Sequence, residues 1–401
     1  MIISVVDNKT SENEFLKVPK IIYKNDPFWI SPLNTDIKAK FNKKTNPHFR
    51  DGDAKRWILK DDYGNLIGRI AAFYSNKKLK AEKIPAGGVG FFECINDPTA
   101  ATMLFDTAVN WLKKKDIKAM DAPVNFGEND SNWGLLAEGF MQQSFGMPYN
   151  YPYYKELFEN YGFQVYFKQY TYHLDLTKKF PERFWKIADW ISKKPDFTFR
   201  HFNFQESEKF INDMVQVYNV TWSSFKENFT PLNPEEIRAT FKKARPIIDP
   251  DMIWFAYHNN EPIAFFIMFP DINQILKHFK GNINSLGKIK FLFLKNRKVI
   301  NRIRAQVAGV VPKFQNSGIE SGIFWHMNEK MKHKPWYKEI ELSWVGDFNK
   351  KMIALYEAIG AKKEKTHITY RYMIDKKIPF ERYQNEVEPS LKGKNKIQPV
   401  S

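Results

Sequence analysis

The chain has one cysteine, Cys94, among 401 residues, so no internal disulfide can form and a reducing compartment is the expected home. It also lacks long apolar runs. A bilayer-spanning helix needs roughly eighteen or more consecutive apolar residues, and the densest patch here, Phe291 to Leu294, is short and flanked by lysines. The first residues do not show the basic-then-apolar order of a secretion signal, which makes the cytoplasm the expected location. The eight histidines are scattered; His326 and His333 have no third ligand at a suitable spacing, so no metal site is expected. Acidic residues are short too, 45 against 62 Lys and Arg, leaving a net charge of +17. That balance suits nucleic acid, anionic lipid or a polyphosphate-bearing cofactor. Nucleic acid is the weakest of these readings, because neither a recognition-helix motif nor a stacking signature accompanies the charge. Abundant Lys, Asn, Ile and Phe also fit a solvated surface shaped by base composition.

What is present is core-forming material: 43% hydrophobic residues, 16% aromatic and 35 Phe. At this length two domains are expected. In chain order the pattern predicts a strand at 2–6, a helix at 12–23 and a hairpin, 56–60 with 66–74, around Gly64. A strand over 88–95 follows, then a helix from Pro98 capped by Asp97, and a short strand over 118–123. A long loop runs from Asn125 to Asn150, then a helix closed by Gly162 and a strand over 164–176. Residues 177–195 form a bridging helix whose aromatics, Phe180, Phe184, Trp185 and Trp190, suit packing. The order then repeats: a strand at 197–202, helices at 205–218 and 234–244, a hairpin of 252–257 with 262–269, and an insertion over 270–298. Next comes Arg304 to Gly322, a buried strand ending at Val310-Val311, a stop at Pro312, and a loop Gln315-Asn316-Ser317-Gly318 that opens a helix. Free N–H donors at such a helix start attract anions. A strand over 336–344, a helix over 349–359 closed by Gly360 and a strand over 362–374 complete the repeat, before a basic tail.

The residues Val310-Val311-Pro312 with Gln315-x-x-Gly318, followed by Asn349-x-x-x-Ile353-Ala354-Leu355-Tyr356-Glu357-x-x-Gly360, resemble the GNAT (N-acetyltransferase) superfamily. Tyr153 to Phe163 echoes the second motif, so the first half resembles a diverged copy. The resemblance implies an α/β fold with mixed sheets: two GNAT-like domains in tandem, each a twisted, mainly antiparallel sheet flanked by helices. The segments would be a diverged domain over 1–176, a bridging helix over 177–195, a cofactor-binding domain over 196–375 with the insertion 270–298, and a tail over 376–401. It implies acetyl-CoA or another acyl-CoA as cofactor and transfer of the acyl group, in the first instance acetyl, to a small-molecule or peptide amine held between the domains. The alternative is a catalytically inactive GNAT-fold protein that binds a ligand.

The same resemblance assigns roles. Backbone donors of Asn316, Ser317 and Gly318 would hold the pyrophosphate with Gln315 beside them, and Val310 and Val311 would pair with the pantetheine arm. Asn349 would cap its helix and reach the cofactor. Tyr356 stands at the general-acid position, its other role being a core tyrosine. Glu341 is the candidate base, sharing a strand face with Glu339. Two features depart from the pattern. Glu320 stands where a small residue is usual, and in the first copy Glu93, Asp97 and Pro98 lie where a phosphate needs donors, so that copy is not expected to bind CoA. The insertion 270–298 mixes apolar residues with lysines, suiting packing between the halves or, secondarily, contact with an anionic membrane.

Overall fold

The computed structural model describes residues 1–126, 133–223, 231–315 and 317–384. The first half contains β1 (Ile2–Val5), α1 (Lys9–Ile22), α2 (Asn34–Lys40), β2 (Gly52–Lys60), β3 (Leu66–Ser75), α3 (Asn76–Ala81) and β4 (Ala86–Cys94). It continues with α4 (Pro98–Lys113), β5 (Ala119–Ala122), β6 (Leu135–Glu138), α5 (Tyr154–Tyr161) and β7 (Gln164–Asp175). After α6 (Glu182–Ser192), the second half opens with β8 (Phe197–His201), α7 (Ser207–Ser223), α8 (Pro234–Ala244), β9 (Ile253–His258) and β10 (Glu261–Pro270). The insertion folds as α9 (Asn273–Leu276) and α10 (Ser285–Asn296), followed by β11 (Arg302–Val310), α11 (Ile319–Met331), β12 (Glu339–Glu341), β13 (Val345–Gly346), α12 (Lys350–Ala358) and β14 (Lys362–Met373).

Local chemistry explains most of these limits. Asp97 caps α4 through Thr99 N–H and Ala100 N–H, with Pro98 at the first helical position. Asn233 and Pro234 start α8 in the same way. Gly162 and Gly360 take the left-handed conformation that closes α5 and α12. The expected strand over 336–344 shrinks to β12, because the chain leaves its neighbour after Glu341 and rejoins the sheet only as β13.

Among the described residues all fourteen strands form one sheet, in the order β1-β2-β3-β4-β5-β14-β7-β12-β11-β10-β9-β8, with β6 on β14 and β13 on β7. The parallel pairs are β4 with β5 and β11 with β12; the rest are antiparallel. Spatial order departs from chain order at the centre. β7, made with the first half, lies beside β12, whereas β14, the last strand of the second half, lies beside β5. Each half therefore completes its sheet with the other's final strand, and the two exchanged strands pair over Gln164–His173 and Lys362–Arg371.

The cores mix accordingly. Tyr172 and Leu174 of β7 pack with Ile303, Ile340 and Tyr356 of the second half, while Ile368 and Tyr370 of β14 pack with Phe105, Met120 and Phe158 of the first. α6 is part of the second core: Phe184 and Ile191 are buried, and Ile187 and Ile191 contact α11 at Gly318 and Gly322. Residues 376–384, expected as the start of a loose tail, return to the first half, where Ile378 and Phe380 pack with Ala86 and Tyr383 N–H donates to Tyr166 O at 3.0 Å.

Arg371 on β14 faces Asp121 on β5 in a two-pronged ion pair at 2.6 and 2.9 Å, both side chains buried. Without Asp121, Arg371 would keep only the more distant Glu82 at 3.8 Å, so Asp121→Ala is expected to destabilise the protein by about 3 kcal/mol, whereas Asp121→Leu with Arg371→Met should lose much less. Urea unfolding of the three proteins checks this.

Candidate functional site

Strand β11 of the second half has one edge that is only partly paired. β11 pairs with β12 only through Arg302, Ile303 and Arg304, against Glu339, Ile340 and Glu341. Opposite the step from Ile267 to Met268, β11 carries one extra residue, Gln306, a bulge that turns the strand. Beyond it the two parallel strands part, and at the vertex Ser343 Oγ donates to Ala305 O at 3.1 Å. Val311 N–H points to β10, bonding Ile263 O at 2.9 Å, so by strand alternation the N–H groups of Ala308 and Val310 face the open side. Val310 O on that side is taken by Gln315 Nε2 at 3.1 Å. Gln315 therefore braces the strand with its side chain instead of facing the anion position.

At the far end of this edge lies the start of α11. Gly318 is the N-cap, in the left-handed conformation, with no side-chain cap, and the helix's first bond runs from Gly322 N–H to Gly318 O at 3.0 Å. The N–H groups of Ile319, Glu320 and Ser321 precede any intrahelical partner, and that of Glu320 donates to its own side-chain carboxylate. The equivalent helix of the first half, α4, differs: Asp97 supplies the anion itself and Pro98 has no N–H to give. Ser317 Oγ donates to Phe314 O at 2.5 Å, holding the loop, and Asn316 lies outside the described residues. Glu320 is half-buried in the first turn, and burial pushes its carboxyl upward. Ile187 of α6 closes on Gly318, so any side chain at that position would clash.

Tyr356 is buried at the vertex, its hydroxyl donating to Ser343 O at 3.2 Å and its ring 5.4 Å from Tyr172. Burial pushes the phenol well up, so it carries its proton at neutral pH. Asn349 caps α12, its Oδ1 accepting from Met352 N–H at 3.1 Å. Glu341 does not have the exposure expected of a base. It is 1% exposed and bonded to Lys365 Nζ at 2.5 Å. Burial alone would raise its carboxyl, but Lys365, Arg304 and Arg302 hold it down at about 2. A carboxylate so paired is a poor proton acceptor near neutrality. Glu339 is engaged as well, with His173 at 2.7 Å and Arg302 at 2.8 Å.

The first half has the same parting of strands. β4 and β5 pair in parallel only over Ala86–Gly88, and β4 bulges at Phe91, which takes a positive φ of 51°. Where they part lies a cavity of about 110 Å³, walled by Trp29, Pro32, Phe91, Asn125 and Tyr149, with Glu93 among its lining. Glu93 accepts from Tyr23 at 2.6 Å and Tyr154 at 2.9 Å and faces Arg69 at 3.4 Å. Burial pushes this carboxyl up, against the pull of Arg69 and the tyrosines. Sequence reasoning took Glu93 only as an obstacle to phosphate. The tyrosines from Tyr149 to Tyr154, together with the unusual length of the loop before them, are the sequence signal of an aromatic pocket.

The described part of that loop ties the cavity to β11. Gln143 binds the backbone of Ile30 at 3.2 and 3.0 Å, and Phe145 N–H donates to Asp271 Oδ1 at 2.9 Å. Arg304 donates to Phe145 O and reaches Met147 Sδ at 3.1 Å. The same strand that opens toward α11 thus holds the loop at its other end. His367, which the sequence did not single out, is buried beside this seam with Nε2 3.4 Å from Pro148 O. Its Nδ1 has no hydrogen-bond partner among the described residues.

No family model matches the sequence. The chain is 26% identical over 377 residues to Protein YghO of Escherichia coli (strain K12), covering 92% of this chain and 94% of that one. It is also 26% identical over 378 residues to the bacterial ceramide synthase of Caulobacter vibrioides (strain NA1000 / CB15N), covering 92% and 97%. Among solved structures it resembles a tandem GNAT protein from the clavulanic acid biosynthesis pathway, with a TM-score of 0.52 at 10% identity over 95% of this chain and 99% of the other. A GCN5-related N-acetyltransferase from Sphaerobacter thermophilus gives a TM-score of 0.53 at 9% identity, covering 93% and 95%. The fold is that of the tandem GNAT proteins, two GNAT-like units in one chain.

Burial, followed by the nearby Lys365, pushes the His367 pKa from its ordinary 6.5 to about 4. Between those values the unfolded chain binds a proton that the folded one refuses, so stability is full above about 6.5 and falls as the pH drops toward 4. His367→Gln should flatten this slope, worth at most about 1.4 kcal/mol per pH unit. Urea midpoints of both proteins across that window measure it.

Proposed function

We propose that this protein is an acyl-CoA-dependent N-acyltransferase working at the open edge of β11. The observation that carries the reading is one strand edge with unused backbone donors, ending at the uncapped start of α11 and beginning beside the Tyr356 hydroxyl. Donors at a helix start suit a pyrophosphate, and strand N–H groups suit an extended amide-bearing arm. The N–H groups of Ile319 and Ser321 would hold the diphosphate, and those of Ala308 and Val310 the arm or the developing oxyanion. The acyl thioester supplies an activated carbonyl: the amine nitrogen bonds to that carbon, the C–S bond breaks, and the thiolate departs. Tyr356, protonated at neutral pH, gives its proton to the leaving sulfur. The proton lost by the amine passes to solvent or to a base other than Glu341.

The acceptor is assigned to the side of β11 that holds the 133–150 loop, where the aromatic cavity of the first half supplies an apolar wall and a buried carboxyl. Ceramide, named in the Caulobacter relative, contains an amide of the kind this reaction makes, which supports an amphiphilic amine and a long acyl chain over a peptide acceptor. A ligand-binding protein without turnover is the second reading, and Glu320 favours it, since a carboxylate in the first turn of α11 repels a diphosphate.

Calorimetric titration with acetyl-CoA and with a long-chain acyl-CoA tests the site, and no saturable binding of either at millimolar levels would overturn it. Glu320→Gln should tighten binding by about fivefold, the equivalent of ~1 kcal/mol for one like charge near the diphosphate in a wet site. Tyr356→Phe should leave acyl-CoA binding within about twofold and lower kcat by about a hundredfold or more. Equal kcat in the two proteins would return Tyr356 to a packing role.

A further inference from the structure

Helix α10 is apolar on both faces. Phe291 and Leu294 turn inward to the second core, and Gly287 is buried over Phe279 and Ile283. On the opposite side Leu286, Ile289 and Phe293, spaced i, i+3 and i+7, are 75, 66 and 59% exposed, with Leu292 at 51% beside them. That spacing makes one continuous stripe along the helix. Four large apolar side chains so placed are not the scattered exposure of an ordinary surface.

The segment that carries the stripe is of one sign. Between Asp271 and Glu320 the sequence has no acidic residue, while Lys277, Lys280, Lys288, Lys290, Lys295, Arg297 and Lys298 lie in or around the helix. Lys288, Lys290 and Arg297 are exposed, and among the described residues no carboxylate pairs with any of them. Lysine and arginine stems can lie along an apolar face and carry their charge to its border. A helix built this way suits the boundary between phospholipid headgroups and acyl chains. A second copy of the chain fits less well. A twofold contact through this face would set Lys288, Lys290 and Arg297 against the same residues of the copy, with no acid to offset them.

We infer that α10 docks the protein on an anionic phospholipid surface, with Leu286, Ile289, Leu292 and Phe293 entering the interface and the lysines meeting the headgroups. The attachment is peripheral, since among the described residues no helix is long and apolar enough to cross a membrane. Its placement bears on the rest of the molecule. Just before the helix, Asn34 N–H donates to Gly281 O at 2.9 Å and Asn34 Nδ2 to Asn282 Oδ1 at 2.8 Å, two residues from Pro32 of the cavity wall. The docking helix and the cavity of the first half therefore share a support. This inference stands apart from the acyl-transfer reading, because docking needs neither cofactor nor acceptor.

The test is cosedimentation of the full chain with vesicles of pure phosphatidylglycerol and of pure phosphatidylcholine. Binding to phosphatidylglycerol should exceed binding to phosphatidylcholine by at least tenfold and weaken at 1 M salt, where the Debye length falls to ~3 Å. The triple variant Leu286→Ser, Ile289→Ser, Phe293→Ser should reduce binding at least tenfold, and Lys288→Glu with Lys290→Glu should do the same by charge alone. Circular dichroism and the melting temperature should be unchanged in both, as the replaced side chains are exposed. Failure of the wild type to bind phosphatidylglycerol, or equal binding by wild type and both variants, would overturn the inference. A concentration-dependent dimer that the triple variant abolishes, with no vesicle binding, would assign the face to a second copy instead.

Discussion

Backbone pairing between β7 and β14 holds the two halves as one sheet, and each half depends on it for more than attachment. Without β14, the first half would expose the edge of β5 and leave Asp121 without Arg371; without β7, β12 and β13 would have no neighbour on that side. An unpaired edge and a buried carboxylate left with only Lys78 at 3.6 Å are both costly. The exchange also places a polar layer at the centre of the molecule, where Lys365 of β14 reaches across β7 to Glu341 of β12. Burying this pair ties the register of three strands to a single geometry, since a one-residue slip would turn either charge toward an apolar face.

The two parting strand pairs have diverged around that common frame. In the second half the N-cap of the helix after the strand, Gly318, has no side chain to cap it, whereas in the first Asp97 accepts from two of the leading N–H groups and the adjacent space is walled by aromatic rings around Glu93. One unit has a helix start with no side-chain cap, and the other has a partly open pocket. Arg302 and Arg304 connect them: both project from β11, and both hold the loop that runs from the pocket. The two copies of one architecture thus differ at equivalent places and stay in contact through one strand.

Much of the element order was legible because its signals are local. Asp97-Pro98, Asn233-Pro234, Asn349, Gly162 and Gly360 each act on backbone groups within a few residues, and each helix limit they imply is present. Strand partners are another matter. Nothing in the residues of β7 says which of two similar sheets it enters, because alternating apolar side chains fit either. Glu341 was misjudged for the same reason, as its partner Lys365 is 24 residues away and arrives only through the exchange. The insertion was hard to assign because α10 is apolar on two faces and carries Gly287, which blurs a single-sided periodicity. Of the candidate site, the loop and Tyr356 are singled out by their motifs, but the pocket around Glu93 assembles Tyr23, Arg69 and Tyr154 from three distant segments.

The exchanged strands also set the order in which the chain can become itself. Arg371 follows its partner Asp121 by 250 residues, so the first half cannot close its sheet while it is being synthesised. At roughly 5–20 residues per second, a ribosome takes on the order of 10–50 s to cover that gap. Throughout that interval the edge of β5 and the apolar surface meant for Ile368 and Tyr370 are open to whatever is near. A fold that gains its unity from its last strand therefore spends its synthesis as an unfinished sheet.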